Sequence, residues 1–457
     1  MMPGPACALL WIALLGPPLP AGPPVAEPLP EPRPGPVIDL VQALEMADAR
    51  NLGLEAARTE ILSARAGFKR AWSALLPTAA GEMDYVHNDH EDAARLSSSD
   101  PENPQRIVVR RQDSLSGSLS VTLPLVEARS WYGISMGDKG VTLAELGVEG
   151  ARQAVLMAVA QAYFTALTSE ALIEVQRSGW DSATRHLEVA RIRFRSGTGS
   201  RLDLIRAETE LVSIREQMIS ALAAHEAARD SLATLIGFEK AGGELPLPAP
   251  LPELREPAER GKALEDRALE QREDLRLARV GLSLADEQLG QSWMSFLPSL
   301  YASWQLSYLI TEPASLGSVD RSRWFIGLTL SVPIYDHTRY ADLDEKRAAL
   351  HRARLELEDA ERQMRLELRQ ARRDYRLSLE QVACANRKVS LCRETLQLAE
   401  SAYVHGTGSS LDVTDARRSL RDAEIDLHRR RLETQLALLA LLRKAGTDLS
   451  TLGEEPR

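Results

Sequence analysis

Residues 334–405 carry apolar positions at helical spacing for 72 residues without a single Gly or Pro, and a stretch with no punctuating residue reads as one helix. At about 1.5 Å per residue such a helix is roughly 105 Å long, far more than a globular domain is wide. It therefore needs an equally long partner for its apolar stripe. The same periodicity predicts further helices over residues 141–195, 202–236 and 411–444, and helical tracts over 38–75 and 263–296. Gly133, Gly137, Gly140, Gly147 and Gly150 precede or interrupt the start of the 141–195 helix, which predicts a looser beginning there.

Between Leu76-Pro77 and the first long helix, and again after Leu297-Pro298, the period changes from 3.6 to two. Residues 78–87, 114–125, 299–310 and 322–334 alternate small or polar with apolar side chains, the signature of strands with unlike faces. Each has about the 10 to 12 residues that a tilted strand needs to cross a bilayer. Tyr85, Tyr301, Trp304, Tyr308, Trp324 and Tyr335 gather in or beside them although only 5% of the chain is aromatic, as an interfacial girdle requires. Four strands cannot close a barrel, and open edges are not tolerated in lipid. Three copies would give twelve strands, an even number within the range of closed outer-membrane barrels.

The chain is an internal duplication. Tyr403-Val404-His405-Gly406-Thr407-Gly408-Ser409-Ser410-Leu411-Asp412 answers Phe194-Arg195-Ser196-Gly197-Thr198-Gly199-Ser200-Arg201-Leu202-Asp203 at a shift of 209, and the same shift takes Leu123-Pro124-Leu125 to Val332-Pro333-Ile334. Leu76-Pro77 meets Leu297-Pro298 at a shift of 221, so the first repeat holds 12 extra residues, placed by this reading in a loop. Each helix after Gly-Thr-Gly is half the length of its predecessor, and the tracts at 38–75 and 263–296 make up the deficit if they continue these helices end to end. The resulting division is a signal peptide and leader (1–26), a first repeat (27–236), a Pro-rich strap (237–262), a second repeat (263–446) and a tail (447–457).

Composition narrows the function. Ala, Leu, Glu, Arg and Gln dominate long tracts, as in packed helices, and 55 basic against 65 acidic residues leave a net charge of -10 with the signs interleaved. That excludes a nucleic-acid footprint. Residues 7–16 have the apolar character and length of a signal-peptide core, too short to span a bilayer. Cys7 precedes this run rather than following it, which argues against a lipid-modified cysteine, and Cys384 and Cys392 stand about 12 Å apart in helix rise, too far to bridge. The segment 87–92, with His87, His90 and four polar or acidic neighbours, reads as a solvated surface loop rather than a metal cluster. No Ser-His-Asp set, phosphate-binding loop, CxxC or HExxH is present, so neither enzyme chemistry nor a cofactor is expected.

The two-fold repeat, the Leu-Pro starts at 76–77 and 297–298, the Val-Pro-Ile exit at 332–334, Ala158-Val159-Ala160-Gln161-Ala162-Tyr163-Phe164-Thr165-Ala166-Leu167 and the Gly-Thr-Gly turns, in this order and spacing, resemble the TolC family of outer-membrane efflux proteins. The resemblance covers nearly the whole chain after the leader. It implies a mainly α fold with a membrane β-barrel: a homotrimer with a twelve-stranded barrel in the outer membrane of a Gram-negative bacterium, and a helical tunnel extending into the periplasm. It also implies an exit duct that joins a periplasmic adaptor and an inner-membrane transporter. The tips Gly197, Thr198, Gly199, Gly406, Thr407 and Gly408 are then the adaptor-docking points. Asp412 and Asp415 would line a periplasmic constriction that an aromatic at Tyr403 helps hold shut. Where the family pattern has a basic gate residue this chain has Gly408. The repeat itself sets Arg206 opposite Asp415 at the shift of 209, which offers Arg206, with Arg201 as a second candidate, as the replacement. Ser200-x-x-Asp203 and Ser409-x-x-Asp412 also have the form of helix capping boxes, a purely structural role. The alternative to a channel is a soluble long-helix scaffold of the periplasm whose strands form an ordinary sheet.

Overall fold

The computed structural model describes residues 35–96, 105–238, 246–249, 261–311 and 320–451. The leader reading and Cys7 lie outside them, as do most of the strap and the end of the tail. In chain order the elements begin with β1 (Val37–Ile38), α1 (Leu40–Arg50), α2 (Leu52–Ser73), β2 (Thr78–His87), β3 (Asp92–Leu96), β4 (Gln105–Arg110) and β5 (Asp113–Val126). There follow α3 (Ala128–Arg195), α4 (Arg201–Leu235), β6 (Leu247–Pro248), α5 (Lys262–Gln271) and α6 (Glu273–Met294). The chain closes with β7 (Ser299–Leu309), β8 (Ser322–Ser331), α7 (His337–Val404) and α8 (Ser410–Lys444).

The long helices match in length across the two halves: α3 and α7 have 68 residues each, α4 and α8 have 35 each. Helix α3 thus begins at Ala128, not near residue 141, and runs unbroken through its glycines. Close packing compensates for their poor helix propensity. A Cβ on Gly137 would lie 3.2 Å from the backbone of Phe68 on α2, and one on Gly290 of α6 would run into the ring of Tyr132. The absence of side chains lets α2, α3 and α6 approach, and Lys139 of α3 meets Glu287 of α6 at 2.6 Å beside them.

Each short helical tract is two helices, not one. Residue Asn51 separates α1 from α2 with an extended backbone (φ -70°, ψ 117°), and Arg272, at the shift of 221, separates α5 from α6 likewise (φ -63°, ψ 129°). Only α2 and α6 continue α4 and α8; α1 and α5 leave the columns. At the first joint Asn51 caps α2 by accepting from Leu54 N (3.1 Å) and donates to the last-turn carbonyl of α4 at Leu235 (2.8 Å). At the second, Arg272 pairs with Asp274 (2.5 Å) and Glu367 (2.9 Å), and Lys444 shares Glu367 (2.8 Å).

The main core sits at these joints, halfway along the long helices. Leu40, Ala43 and Leu44 of α1, Leu156, Val159 and Phe164 of α3, Leu264 and Ala268 of α5, Met364 and Leu368 of α7 and Leu438 and Leu442 of α8 are buried together. The single Tyr163 hydroxyl hydrogen is shared between Ala249 O (2.8 Å) and Ile38 O (3.1 Å), fixing the parallel pair β1 and β6 against α3. Of this pair, β6 belongs to the strap. Toward the tips the described residues form two thin clusters, Ala385, Val389, Ala423 and Leu427 in one hairpin and Leu187, Ala190 and Ala207 in the other.

The four predicted strands form an antiparallel sheet in the order β2-β5-β7-β8. Their register places Ala79, Met83 and Tyr85 beside Leu119, Val121, Trp304, Leu306, Tyr308, Trp324, Ile326, Leu328 and Leu330 on one face, and Glu82, Asp84, Ser118, Ser120, Ser303, Gln305 and Thr329 on the other. The apolar face is bare: Trp324, Ile326 and Leu328 are 66%, 70% and 69% exposed. Tyr85, Tyr308 and Trp324 cluster at the end far from the helices, whereas Trp304 sits at mid-strand and Tyr301 is on the polar face, donating to Glu127. The aromatic positions thus form a girdle only in part. The segment expected to be a surface loop is more ordered than its composition indicates. It extends into the hairpin β3-β4, and His87 pairs with Asp113 across the strands (2.7 Å) while His90 pairs with Asp89 (2.7 Å).

The α4–α2 joint yields a stability prediction. Gly237 has φ +63°, and a Cβ there would stand 2.8 Å from Arg50 Cβ and 2.9 Å from its carbonyl oxygen; Gly197 has φ +74° but open space around it. Gly197→Ala should cost only the left-handed backbone, about 1 kcal/mol, whereas Gly237→Ala adds overpacking of about 1–3 kcal/mol. Thermal midpoints of the two variants in detergent should rank accordingly, and equal losses would contradict a joint held by this contact.

Candidate functional site at the helix tips

Both long helices end in the same turn. Gly197 and Gly406 take positive φ (74° and 79°), so the chain reverses without the steric cost a side chain imposes. Thr198 N and Gly199 N donate to Arg193 O, both at 3.0 Å, and Thr407 N and Gly408 N donate to Ala402 O, both at 3.0 Å. These bonds fold the second glycine back on the helix: a Cβ at Gly199 would meet Arg193 Cβ at 2.9 Å, and one at Gly408 would meet Ala402 Cβ at 3.0 Å. Any side chain at position 408 would therefore crowd the last turn of α7. The four outermost residues, Gly197, Thr198, Gly406 and Thr407, are exposed.

The returning helices start with capping boxes. Asp203 N donates to Ser200 Oγ (3.1 Å) and Ser200 N to Asp203 Oδ2 (3.4 Å); Asp412 N donates to Ser409 Oγ (3.2 Å) and Ser409 N to Asp412 Oδ2 (2.9 Å). The Ser409 amide and then its hydroxyl hold the Asp412 carboxyl below the usual carboxylate range. Asp412, Asp415, Arg201 and Arg206 are all exposed. Within one chain no ion pair among the described residues joins Arg206 to Asp415.

Tyr403 is not at the surface. It is buried, with the guanidinium of Arg193 4.3 Å above its ring and the imidazole of His186 5.6 Å away. His186 in turn reaches Ser410 Oγ at 3.3 Å. Four side chains from α3, α7 and α8 thus tie the two hairpins together behind the tips. Just beyond, Glu210 of α4 lies against Thr414 of α8, Arg417 pairs with Glu400 at 2.7 Å, and Arg421 is buried. Burial raises the Glu210 carboxyl, against the pull of Arg417 and Arg421. None of His186, Glu210, Arg417 or Arg421 stands out in the sequence, because in an Arg- and Glu-rich helix a buried charge has the same spacing as a solvated one.

Burial, and next the charge of Arg417, push His186 down to about 4. Neutral His186 therefore stabilises the fold fully above the unfolded value near 6.5, and this contribution is lost as pH falls through the folded value. Between pH 6.5 and 4 the wild type should lose about 3 kcal/mol at this contact. His186→Gln should melt with a shallower pH dependence across that window, as read by differential scanning calorimetry; parallel curves would show that His186 does not titrate there.

Comparison with known proteins accounts for this architecture. The chain matches the family described as Outer membrane efflux protein over residues 43–238 and 264–447. It is 25% identical over 348 residues to Outer membrane protein TolC of Vibrio cholerae, covering 74% of this chain and 78% of that one. It is 27% identical over 350 residues to Alkaline protease secretion protein AprF of Pseudomonas aeruginosa, covering 74% and 70%. Among solved structures, CusC superposes with a TM-score of 0.74 at 19% identity, over 93% of this chain and 98% of that one. The helical hairpins, the bare-faced sheet and the matched sequence agree, and the chain belongs to the outer membrane efflux protein family, as an outer-membrane exit duct with a periplasmic extension.

Proposed function

We propose that the chain works as a homotrimer whose twelve strands close one barrel in outer-membrane lipid, and that its tips meet a periplasmic adaptor coupled to an inner-membrane transporter. The sheet carries this reading. Its apolar face is exposed, its opposite face is largely polar, and the outer edges of β2 and β8 pair with no other strand among the described residues. Unpaired backbone groups cost several kcal/mol each in hydrocarbon, so β8 must pair with β2 of the next copy. A soluble scaffold would leave that apolar face in water. The relatives' names include a protease secretion protein and a cation efflux protein, which supports a duct whose cargo is chosen by the pump. Cross-linking in detergent should end at three chains; a monodisperse monomer without detergent would reject the barrel.

The gate reading is supported by charge placement. Arg206 and Asp415 are exposed, at equivalent heights on α4 and α8, and free of intrachain ion pairs among the described residues. In a trimer three Arg206 and three Asp415 would pair between neighbouring hairpins, with Arg201 next in line. Asp412 and Asp415 would form a ring of six carboxylates, which favours cations. Tyr403 then acts from behind, by packing rather than by lining the passage. In planar bilayers Asp415→Asn and Arg206→Gln should each raise single-channel conductance, and the double variant Asp412→Asn/Asp415→Asn should weaken cation selectivity. Unchanged conductance and selectivity in intact trimers would return these residues to capping and surface roles.

A further inference from the structure

Between the two hairpins, behind the tips, lies a cavity of about 340 Å³ lined by α3, α4, α7 and α8. Two arginines of α8 enter it from a buried position. Arg421 is 8% exposed, and the Arg417 side chain is 9% exposed. Gly179 on the facing helix makes room: a Cβ there would already touch Arg421 Cδ at 3.3 Å.

The polar atoms of this cavity do not balance. Arg417 gives one N–H to Glu400, but its Nε and Nη1 are buried without a hydrogen-bond partner among the described residues, and so is the Nε of Arg421. Arg393 is matched by Glu424 at 3.0 Å. What remains is Arg421, together with the more exposed Arg185, against the single carboxylate of Glu210. A buried guanidinium without a carboxylate is costly, and each buried N–H left unmade costs the desolvation of that group. Three buried donors of α8 at this cavity therefore have no acceptor among the described residues. From α4, Glu210 lines the same cavity and has an acceptor, Oε1, that is also buried and without a partner among the described residues.

One small ligand matches both halves of this pattern. We propose that the cavity binds inorganic phosphate in a protonated form, its oxygens accepting from Arg417 and Arg421 and its own hydroxyl donating to Glu210. Guanidinium groups suit such an oxyanion in geometry and charge. Sulfate, fully ionised at neutral pH, has no hydrogen to offer Glu210 and would set its oxygen against a carboxylate oxygen. The site discriminates on that hydroxyl. Lipid headgroups are not the source, because Arg393 lies about 85 Å of helix rise from the start of α7 beside the sheet. A bound phosphate would bridge α3 and α4 to α7 and α8, so the ligand would bear on how the hairpins separate.

The test is isothermal titration calorimetry on the full-length protein in detergent, with sodium phosphate and sodium sulfate at matched ionic strength and pH 7.5. Phosphate should bind saturably, and sulfate at least about tenfold more weakly. Arg421→Gln should weaken phosphate about tenfold or more, while Arg352→Gln, an exposed arginine on α7, should change nothing. Glu210→Gln should act in the other direction on selectivity: sulfate binding should strengthen and the preference for phosphate shrink. This arm stands even if Arg421→Gln fails to fold. Absence of saturable phosphate binding in the wild type overturns the proposal, as does a phosphate-to-sulfate ratio that Glu210→Gln leaves unchanged.

Discussion

A helix of 68 residues has no interior, and everything else in this chain supplies one. Helices α3 and α7 each present a stripe too long for any single neighbour of ordinary length. The stripe is covered in sections, by α4 and α2 along one rod and by α8 and α6 along the other. Where the sections abut, α1, α5 and the β1-β6 pair add a second layer, and only there does a broad core form. Away from that belt burial falls to a few side chains per hairpin. Stability is thus concentrated at mid-length, while the tips, held by caps and a few polar contacts, have the low local stability expected of parts that move or dock.

The sheet follows the opposite rule. Its residues bury little within the chain, and its order comes from backbone pairing and from alternation that assigns every second side chain to one face. A one-residue slip would carry Trp324, Ile326 and Leu328 to the polar side, so the register and the apolar face specify each other. Gly-Thr-Gly turns at one end and aromatic strand positions at the other therefore bracket a single long object whose two ends are built for different surroundings.

Much of this was legible in the sequence because it is written in period and punctuation. The 334–405 stretch, the four strands and the two reversals at Gly197 and Gly406 are each fixed by local patterns, and the structure reproduces the strand limits within three residues. What was hidden depends on contact between distant segments. The start of α3 at Ala128 runs against the propensity of its glycines, since Phe68 and Tyr132 fill the space they leave. The breaks at Asn51 and Arg272 carry neither Pro nor Gly. They are set instead by the ends of α4 and α8, which meet them from elsewhere in the chain. Asp412 was readable as a cap from its spacing alone, whereas the burial of Tyr403, Arg417 and Arg421 is a property of how two hairpins lie together.

Those breaks also give the protomer two kinds of strut. The rods α3 and α7 are continuous, so a bend in either must distort hydrogen bonds along its length. The companion columns are articulated, each with a knuckle at the broad core where its helical hydrogen bonding breaks, so rotation there strains packing rather than a continuous helix. The two knuckles are fastened differently: Asn51 by neutral hydrogen bonds with the half-exposed Asp48–Arg58 ion pair beside it, Arg272 by charge pairs to Asp274 and Glu367 made from a buried position, which surrounding ions screen little. A bundle of stiff rods alternating with jointed ones deflects in preferred directions. The duplicated chain is in this sense mechanically asymmetric, with one hinge fastened by neutral bonds and a solvated ion pair and the other by charges shielded from solvent.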